Sequence, residues 1–330
     1  MLLCGCRGKT SDYAEPEKRL YVSALGFDVS GDKIKVLAET VSVADNTASD
    51  QYKVTRYGGE GESVEAAMFE IKKDLVLLPD LNHCALLVMG EDVTKESLAE
   101  LTEYCFRDNE IAQSVQMATC ESAEKLLKSH REGEKPLGFG ISDLLSRDTD
   151  GTDSRRETTL LSVMNSRKEG ELYCLPYFET EGKECVLRGW MMYKGENLVH
   201  RLNRTEMQLL KIAEDSFGSG EIELQSIPEA PVINVKSAKT TVSWEDTDGE
   251  VLNVTVKIET DNKASRTQPE KAMSEEITRL ISDLREKGLD PLQVGELIKE
   301  KYHSLGAGGV EELFQKTRVK VKCRVEVESR

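Results

Sequence analysis

The fold of the first half of this chain is decided by the stretch 83-HCALLVM-89. It is a short apolar run closed by Gly90, and such a run is typical of a strand that is covered on both faces of a sheet. A helix is predicted on each side of it. The first helix has apolar residues at helical spacing, and so does the second: Val64, Ala67, Met68, Ile71 and Leu75 in the first, and Leu98, Leu101 and Cys105 in the second.

Further strands and helices extend this pattern in both directions. Two runs rich in β-branched residues flank Ser30-Gly31-Asp32 and predict a hairpin. The strands predicted in this half lie at residues 20–29, 33–43, 52–57 and near 111–118, and a short helix is predicted at 122–128. The alternation of strands and helices indicates an α/β layout.

The second half begins after residues 129–158, which accumulate Gly, Ser, Asp and Arg and are predicted to form a mobile surface segment. Beyond it, strands are predicted at residues 173–178 and 185–193, a helix at 205–213 and a β-meander at 232–258. A further helix is predicted from an apolar stripe at helical spacing, which consists of Ile277, Leu280, Ile281 and Leu284. Gly288 is placed to end that helix, and Asp290 with Pro291 to begin the next.

The last strand is predicted at residues 316–327, where apolar and polar residues alternate so strictly that one face must be buried. We therefore predict a multi-domain α/β (α+β) protein of mixed β-sheets packed with helices. Its C-terminal antiparallel meander should carry helices on one face. The expected divisions are a lipobox and polar tether at 1–18, an N-terminal α/β region at 19–185 and a C-terminal α+β domain at 186–330.

The charge balance restricts the possible partners. The chain of 330 residues has 60 Asp and Glu against 44 Lys and Arg, and its formal net charge is −16. Such a surface repels phosphate backbones, so nucleic acid is not an expected partner. No stretch approaches the roughly 20 apolar residues of a membrane helix, so membrane contact is expected only through an anchor or a partner protein.

The eight cysteines form neither a CxxC pair nor a zinc-finger spacing. They are Cys4, Cys6, Cys84, Cys105, Cys120, Cys174, Cys185 and Cys323. Cys84 lies in the apolar run and Cys323 alternates with valines, so both are predicted to be buried, inert thiols. A reactive thiol would need a neighbouring base, and the four histidines lie in no motif that supplies one.

Three stretches have compositions that also occur at sites of chemistry. The sequence Gly58-Gly59-Glu60-Gly61 lacks the lysine and the spacing of a phosphate loop, so a plain turn is predicted. The Asp-Thr-Asp-Gly sequences at 148–151 and 246–249 place Gly fourth, whereas a calcium loop needs it sixth. No Asp/Glu pair has a context that marks an acid and a base. We predict no catalytic residue, no cofactor and no metal.

The N-terminus has the form of a lipoprotein processing site. Leu3-Cys4-Gly5-Cys6 places an aliphatic residue, a small residue and Gly5 before Cys6, which would carry a diacylglycerol thioether. A secretory leader needs an apolar run of about 7–15 residues, and only Met1, Leu2 and Leu3 precede the site. Either the start is truncated or the pattern is accidental.

Five stretches, in order and spacing, resemble the C subunits of bacterial spore germination receptors, the GerAC or Ger(x)C lipoproteins. They are residues 20–28 (LYVSALGFD), ending in Gly-x-Asp; 82–91 (NHCALLVMGE), ending in Gly-Glu; 104–110 (YCFRDNE), with Arg-Asp followed by Glu; 189–199 (GWMMYKGENLV); and 290–296 (DPLQVGE), with Asp-x-x-x-x-Gly. None of these motifs is catalytic. The resemblance favours Cys6 as the lipidation site.

The resemblance implies a non-enzymatic lipoprotein, anchored by its lipid to the outer face of the spore inner membrane. Its expected partners are the two multi-pass membrane subunits, A and B, of a receptor that responds to nutrient germinants. The alternative is an extracytoplasmic lipoprotein that captures the germinant itself, which requires a pocket with convergent polar groups. An intracellular thiol enzyme is a third reading, which would need a reactive cysteine.

Overall fold

The computed structural model describes residues 19–43, 52–73, 75–93, 95–129, 135–147, 158–224, 226–227, 232–246, 249–260 and 267–327. The chain divides into two compact units. Unit 1 consists of Met1–Leu144, Thr159–Met164 and Phe178–Val186, and unit 2 of Leu145–Thr158, Asn165–Tyr177 and Leu187–Arg330. Within the described residues, no helix combines the length and apolar character needed to cross a bilayer. The predicted division at residues 185 and 186 stays a prediction.

The predicted elements of the first part of the chain occur in the predicted order, together with a short strand at 78–80, a 3₁₀ turn at 81–83 and a helix at 137–147 that were not predicted. The elements are β1 Arg19–Ser30, β2 Lys33–Val43, β3 Tyr52–Gly61, α1 Val64–Lys73, β4 Leu78–Asp80, a 3₁₀ turn Leu81–His83, β5 Leu86–Gly90, α2 Lys95–Arg107, β6 Gln116–Cys120, α3 Ala123–Lys128 and α4 Leu137–Arg147. The mixed α/β fold is therefore confirmed.

The sheet of unit 1 has the strand order β3-β2-β1-β5-β6, with β4 paired to β1. Its first three strands are antiparallel, whereas β1, β5 and β6 are parallel. All five residues of β5 are buried, as expected for a strand covered on both faces. The helix α1 buries Val64, Ala67, Met68 and Ile71, the stripe predicted for it.

The structure corrects the prediction of a turn at Gly58-Gly59-Glu60-Gly61. These residues continue β3 and pair with Ile34–Leu37 positions of β2. The glycines are needed because α1 lies very close to β3. A Cβ on Gly59 would lie 2.1 Å from the carbonyl oxygen of Ala67, and one on Gly61 would lie 2.6 Å from Cβ of Ala66.

Part of the predicted mobile segment is regular. Residues 137–147 form helix α4, and the remainder of 129–158 lies largely outside the described residues. The first turn of α4 approaches β1 so closely that a Cβ on Gly138 would lie 2.2 Å from the carbonyl oxygen of Ser23. Gly138 therefore permits the close packing of α4 on β1.

The remaining elements are α5 Leu160–Glu169, β7 Leu172–Glu181, β8 Glu184–Lys194, β9 Asn197–Asn203, α6 Arg204–Ala213, β10 Gly220–Glu223, β11 Val232–Glu245, β12 Val251–Thr260, α7 Thr267–Glu286, α8 Val294–Lys301, α9 Ala307–Lys316 and β13 Arg318–Val327. Helix α9 was not predicted. Its sequence contains Gly308 and Gly309, which are poor helix formers.

Unit 2 contains a four-stranded sheet with the order β10-β11-β12-β13. The predicted meander is the antiparallel pair β11 and β12, and β13 joins β12 in parallel, so the sheet is mixed. One face packs on helices, with Val254 and Val256 of β12 and Ile277 of α7 among the buried residues. The stripe predicted for α7 is thereby confirmed.

Candidate functional site

The described cysteines are buried thiols rather than nucleophiles. Cys84, Cys105, Cys120, Cys174 and Cys323 are buried, and Cys185 is partly buried. Burial raises the pKa of the Cys84, Cys185 and Cys323 thiols to about 12, and it also raises the pKa of Cys105 well above its ordinary value. The nucleophile is the thiolate, so these groups are unreactive at neutral pH. This argues against the thiol enzyme.

Two of the histidines have structural neighbours. The ring of His83 packs edge-on against Tyr21, with centroids 5.2 Å apart. Nδ1 of His200 lies 3.2 Å from Nζ of Lys287, and burial followed by the charge of that lysine lowers the pKa of His200. Within the part of the chain that is described, no group of three or more His, Cys, Asp or Glu side chains is placed to hold a metal ion.

The first family-like motif ends at Asp28, whose carboxylate caps a distant helix. Its Oδ1 accepts the backbone N–H of Ala123 at 2.7 Å, and its Oδ2 accepts that of Glu124 at 2.8 Å and the hydroxyl of Ser122 at 3.1 Å. The first N–H groups of a helix have no partner within the helix. Asp28 supplies acceptors and a favourable negative charge at this end of α3.

The glycines of two motifs make room for this contact. A Cβ on Gly90, at the end of the Gly-Glu motif, would lie 2.2 Å from Oδ1 of Asp28. A Cβ on Gly26 would lie 2.9 Å from Leu127 and 3.0 Å from Ala123 of α3. The motifs at 20–28 and 82–91 therefore meet around one carboxylate and one short helix.

Two acidic residues of the motif at 104–110 also accept hydrogen bonds from backbone N–H groups. Oδ1 of Asp108 accepts the N–H of Glu110 at 2.9 Å and turns the chain after α2. Oε2 of Glu110 accepts the N–H of Leu81 at 3.4 Å, in the 3₁₀ turn before β5. These acids fix the entry into the central strand.

The motif at 290–296 holds the start of α8. The oxygens of Asp290 accept the N–H groups of Val294 at 2.8 Å and Gly295 at 2.7 Å. Helix α8 thus begins at Val294, three residues later than predicted from Pro291, and its N-cap position is Gln293 rather than the predicted Asp290. Asp290 nevertheless supplies the side-chain acceptors for the first N–H groups of the helix. A Cβ on Gly295 would lie 3.3 Å from Oδ2 of Asp290.

The motif at 189–199 contains a close contact between two strands. Gly189 of β8 pairs with Asn203 of β9. A Cβ on Gly189 would lie 2.3 Å from the carbonyl oxygen of Leu202. The glycine is required for this pairing.

A buried polar cluster in unit 1 was not predicted. Glu39 of β2 is fully buried, and its Oε1 accepts the Ser23 hydroxyl at 2.7 Å and the Gly138 N–H at 3.0 Å. Its Oε2 lies 3.6 Å from Nη2 of Arg56, whose Nε donates to the carbonyl oxygen of Leu127 at 2.6 Å. The local signal was a glutamate directly after the apolar run Val36-Leu37-Ala38 of β2.

Each unit has a cavity. The cavity of unit 1 is about 310 Å³ and lies over Gly26, Leu37 and Gly58, beside the charged Lys35 and Glu60. The cavity of unit 2 is about 430 Å³. It is lined by charged residues that include Glu171, Lys194, Asp290, Lys299 and Glu311, and by the apolar Val310.

Some of the residues considered as sites lie within the described part of the chain, and others lie outside it. Cys6 and the sequence at 148–151 lie outside the described residues. The carboxylate of Asp246 accepts the Tyr302 hydroxyl and pairs with Nζ of Lys301 at 2.5 Å. That carboxylate is therefore engaged in joining a hairpin to the end of α8.

Comparison with known proteins relates most of the chain to one class. Residues 12–180 match the family described as "Spore germination protein N-terminal domain", and residues 188–330 match "Spore germination B3/ GerAC like, C-terminal". The chain is 21% identical to "Spore germination protein GerQC" of Bacillus cereus over 300 residues, 82% of this chain and 83% of that protein. The crystal structure of the GerBC protein has a TM-score of 0.56 at 15% identity, with 92% of this chain and 97% of that chain covered. The last likeness supports the fold alone.

Proposed function

This chain belongs to the germinant receptor C-subunit family of spore germination proteins, and on that premise we propose that it acts without chemistry of its own, through contacts with other receptor subunits. The expected partners are the A and B membrane subunits. No enzymatic step is assigned to it.

The use of the family-like motifs carries this proposal. Asp28 and Asp290 bind backbone N–H groups at helix starts, and Glu110 binds one in a turn. Gly26, Gly90 and Gly189 allow close backbone packing. Residues that bind backbone N–H groups or permit close packing maintain the shape of the folded units and of their surfaces. A protein that acts through contacts with its partners requires such defined surfaces.

Lipidation at Cys6 is the proposed mode of attachment, on the outer face of the spore inner membrane. A diacylglycerol on Cys6 would supply two acyl chains, and two chains anchor a protein durably where one does not. The polar residues after Cys6 would then act as the tether of the folded units.

The test compares Cys6→Ala with Cys4→Ala in a chain expressed behind a functional secretion leader. We expect Cys6→Ala to move the protein from the membrane fraction to the soluble fraction and to slow nutrient-induced germination. Cys4→Ala removes a neighbouring thiol and should leave both properties unchanged. Membrane attachment and germination at the native level in Cys6→Ala would refute the proposal of a lipid anchor.

Direct capture of the germinant is the second candidate function, because the cavity of unit 2 has a volume typical of small-molecule sites. Its charged lining fits a zwitterionic or polar ligand. Calorimetric titration of the full chain with amino acids and sugars tests this candidate. Binding that is lost in Lys194→Gln and kept in the exposed Lys183→Gln would favour it, and no heat with any nutrient would exclude those nutrients as ligands.

A further inference from the structure

The mixed sheet of unit 2 presents one face to solvent. Along β12 and β13, residues such as Val256 and Cys323 are buried under helices, whereas Lys257, Lys322 and Arg324 are exposed. This alternation gives a buried apolar face and an outer polar face. The outer face is unusual because its charged side chains are mostly cations.

The strand register shows how these charges are arranged. Three rows of directly opposite residues cross β11, β12 and β13: Ser243, Asn253 and Lys320; Thr241, Thr255 and Lys322; Lys239, Lys257 and Arg324. We call these nine residues the basic face. They include five cations and no carboxylate. The two flanking rows contain Glu245, Val251 and Arg318 at one end and Ser237, Glu259 and Glu326 at the other, so the carboxylates of the face lie at its ends.

The last row of the basic face places three like charges side by side. Lys239 is opposite Lys257, which is opposite Arg324. Like charges directly opposite on neighbouring strands destabilise a sheet. Lys239 is compensated by Asp215 at 2.5 Å, but Lys257 and Arg324 face each other on adjacent strands. The carboxylates of Glu259 and Glu326 in the next row offset part of this repulsion, and an anion bound across the face would relieve the rest.

We propose that the basic face docks on an anionic lipid surface. Lys320, Lys322 and Arg324 follow one another at every second position of β13 and span about 13 Å. Cations on a flat surface are attracted by anionic headgroups, and each adds to the binding. The net charge of −16 does not cancel this attraction, because salt screens charges beyond about 8–10 Å.

The composition of the basic face favours lipid over protein as the occupant. Its nine residues are Lys, Arg, Thr, Ser and Asn, without an aromatic or aliphatic side chain. The centres of protein interfaces are instead rich in aromatic residues and Met, and they are poor in Lys and Ser. Docking through this face does not depend on Cys6, so the inference goes beyond the proposed function.

The experiment measures co-sedimentation of the full chain, carrying Cys6→Ala so that no acyl group contributes. The vesicles consist of phosphatidylcholine alone or of phosphatidylcholine with phosphatidylglycerol. We expect binding to the anionic vesicles at about 0.1 M salt, where the screening length is about 10 Å, loss of that binding at high salt, and none to phosphatidylcholine. The test variant replaces four cations by glutamine, at Lys257, Lys320, Lys322 and Arg324. It should weaken binding by about a hundredfold or more, since each cation contributes.

The control variant has the same change of charge elsewhere. It carries Lys125→Gln, Lys128→Gln, Lys271→Gln and Lys316→Gln, all on exposed helix positions with an ion pair one turn away. Its binding should stay within about twofold of the parent, since long-range charge effects are screened. If the fourfold test variant does not fold by circular dichroism, Lys322→Gln with Arg324→Gln is compared with Lys125→Gln and Lys128→Gln, and about a tenfold difference is expected.

Three results would overturn the inference. One is no binding of the parent chain to anionic vesicles at about 0.1 M salt. Another is an equal weakening of vesicle binding in the test and control variants, which would show that the attraction does not depend on the basic face. The third is binding to polyglutamate or to duplex DNA without binding to vesicles, which would assign the basic face to another class of partner. None of these results bears on the Cys6 anchor, because Cys6 is absent from the assay.

Discussion

The carboxylate of Asp28 accepts the backbone N–H of Ala123 at 2.7 Å, across 95 positions of the chain. Asp28 lies two residues before the end of β1, and Ala123 begins α3. A residue of the first hairpin thus determines where a helix in the middle of unit 1 starts. The contact is buried, so neither partner can exchange it for water without separating α3 from the sheet.

The first prediction concerns this cap. Asp28→Asn keeps one acceptor oxygen but loses the charge and the second acceptor. We expect it to lower the free energy of unfolding by about 2 kcal/mol, and Asp28→Ala by about 3 kcal/mol. Urea unfolding followed by circular dichroism measures both. The control is Asp32→Asn in the exposed β1–β2 turn, which should change stability by less than about 0.5 kcal/mol. Equal effects at positions 28 and 32 would contradict the capping role.

The second prediction uses two glycines of helix α4. The N–H of Gly138 donates to the buried Glu39, and a Cβ at this position would lie 2.2 Å from the carbonyl oxygen of Ser23. Nothing lies within 4 Å of a Cβ on Gly140. We expect Gly138→Ala to destabilise unit 1 by more than about 2 kcal/mol, because the helix must move away from β1. Gly140→Ala should stabilise it by up to about 1 kcal/mol, since alanine is the better helix former. The same sign of change for both variants in thermal unfolding would refute the close contact.

The third prediction distinguishes a strand from a turn at residues 58–61. A Cβ on Gly58 meets only ordinary contacts, the nearest being Leu37 at 3.5 Å, whereas one on Gly59 would lie 2.1 Å from the carbonyl oxygen of Ala67. We therefore expect Gly58→Ala to be neutral or slightly stabilising, and Gly59→Ala to cost more than about 2 kcal/mol. Hydrogen exchange of α1 amides should accelerate only in Gly59→Ala. Similar stability of the two variants would favour an open turn over the packed strand.

The fourth prediction concerns alkaline pH. Burial raises the pKa of Cys185 from 9.0 to about 12. The folded chain therefore holds this proton more tightly than the unfolded chain does. The resulting stability is fully present below pH 9 and is lost as the pH rises toward 12. Between pH 8 and pH 10 the loss should be roughly 1.4 kcal/mol for this thiol.

Cys185→Ser isolates this contribution, because a serine hydroxyl does not titrate in the same range. Under reducing conditions, the fall in unfolding free energy between the two pH values should be smaller in Cys185→Ser than in the parent by about that amount. Buried tyrosines contribute equally to both proteins. An identical fall in parent and variant would show that the thiol titrates normally in the folded chain.

Local patterns predicted the elements whose causes are local. The apolar run at 83–89, the turn at Ser30-Gly31-Asp32 and the stripe from Ile277 to Leu284 each report on neighbours a few residues away, and the corresponding elements are present. The glycines of β3 have a distant cause, because α1 packs on them, and so they were misread as a turn. Helix α9 was missed for another reason, because Gly308 and Gly309 are poor helix formers. Nothing lies within 4 Å of a Cβ on Gly308, so no distant element accounts for that glycine.

The basic face and the roles of Asp28 and Glu39 could not be predicted from local patterns. Alternation in β13 predicts one buried face, but it is the same for parallel and antiparallel pairing. The like charges of Lys257 and Arg324 become neighbours only once the parallel register is known. Likewise, the acceptors of Asp28 and the partners of Glu39 lie on other elements, so their roles required the tertiary structure.

The parallel pairing of β12 with β13 has a consequence for the folding pathway. The two strands are separated in sequence by residues 261–317, so closing this pair brings together distant parts of the chain at a considerable entropic cost. High contact order of this kind slows folding. We expect attachment of β13 to be the rate-limiting event for unit 2. Until that event the edge of β12 stays unpaired, and a nascent or truncated chain halted at this stage should recruit a second molecule and aggregate.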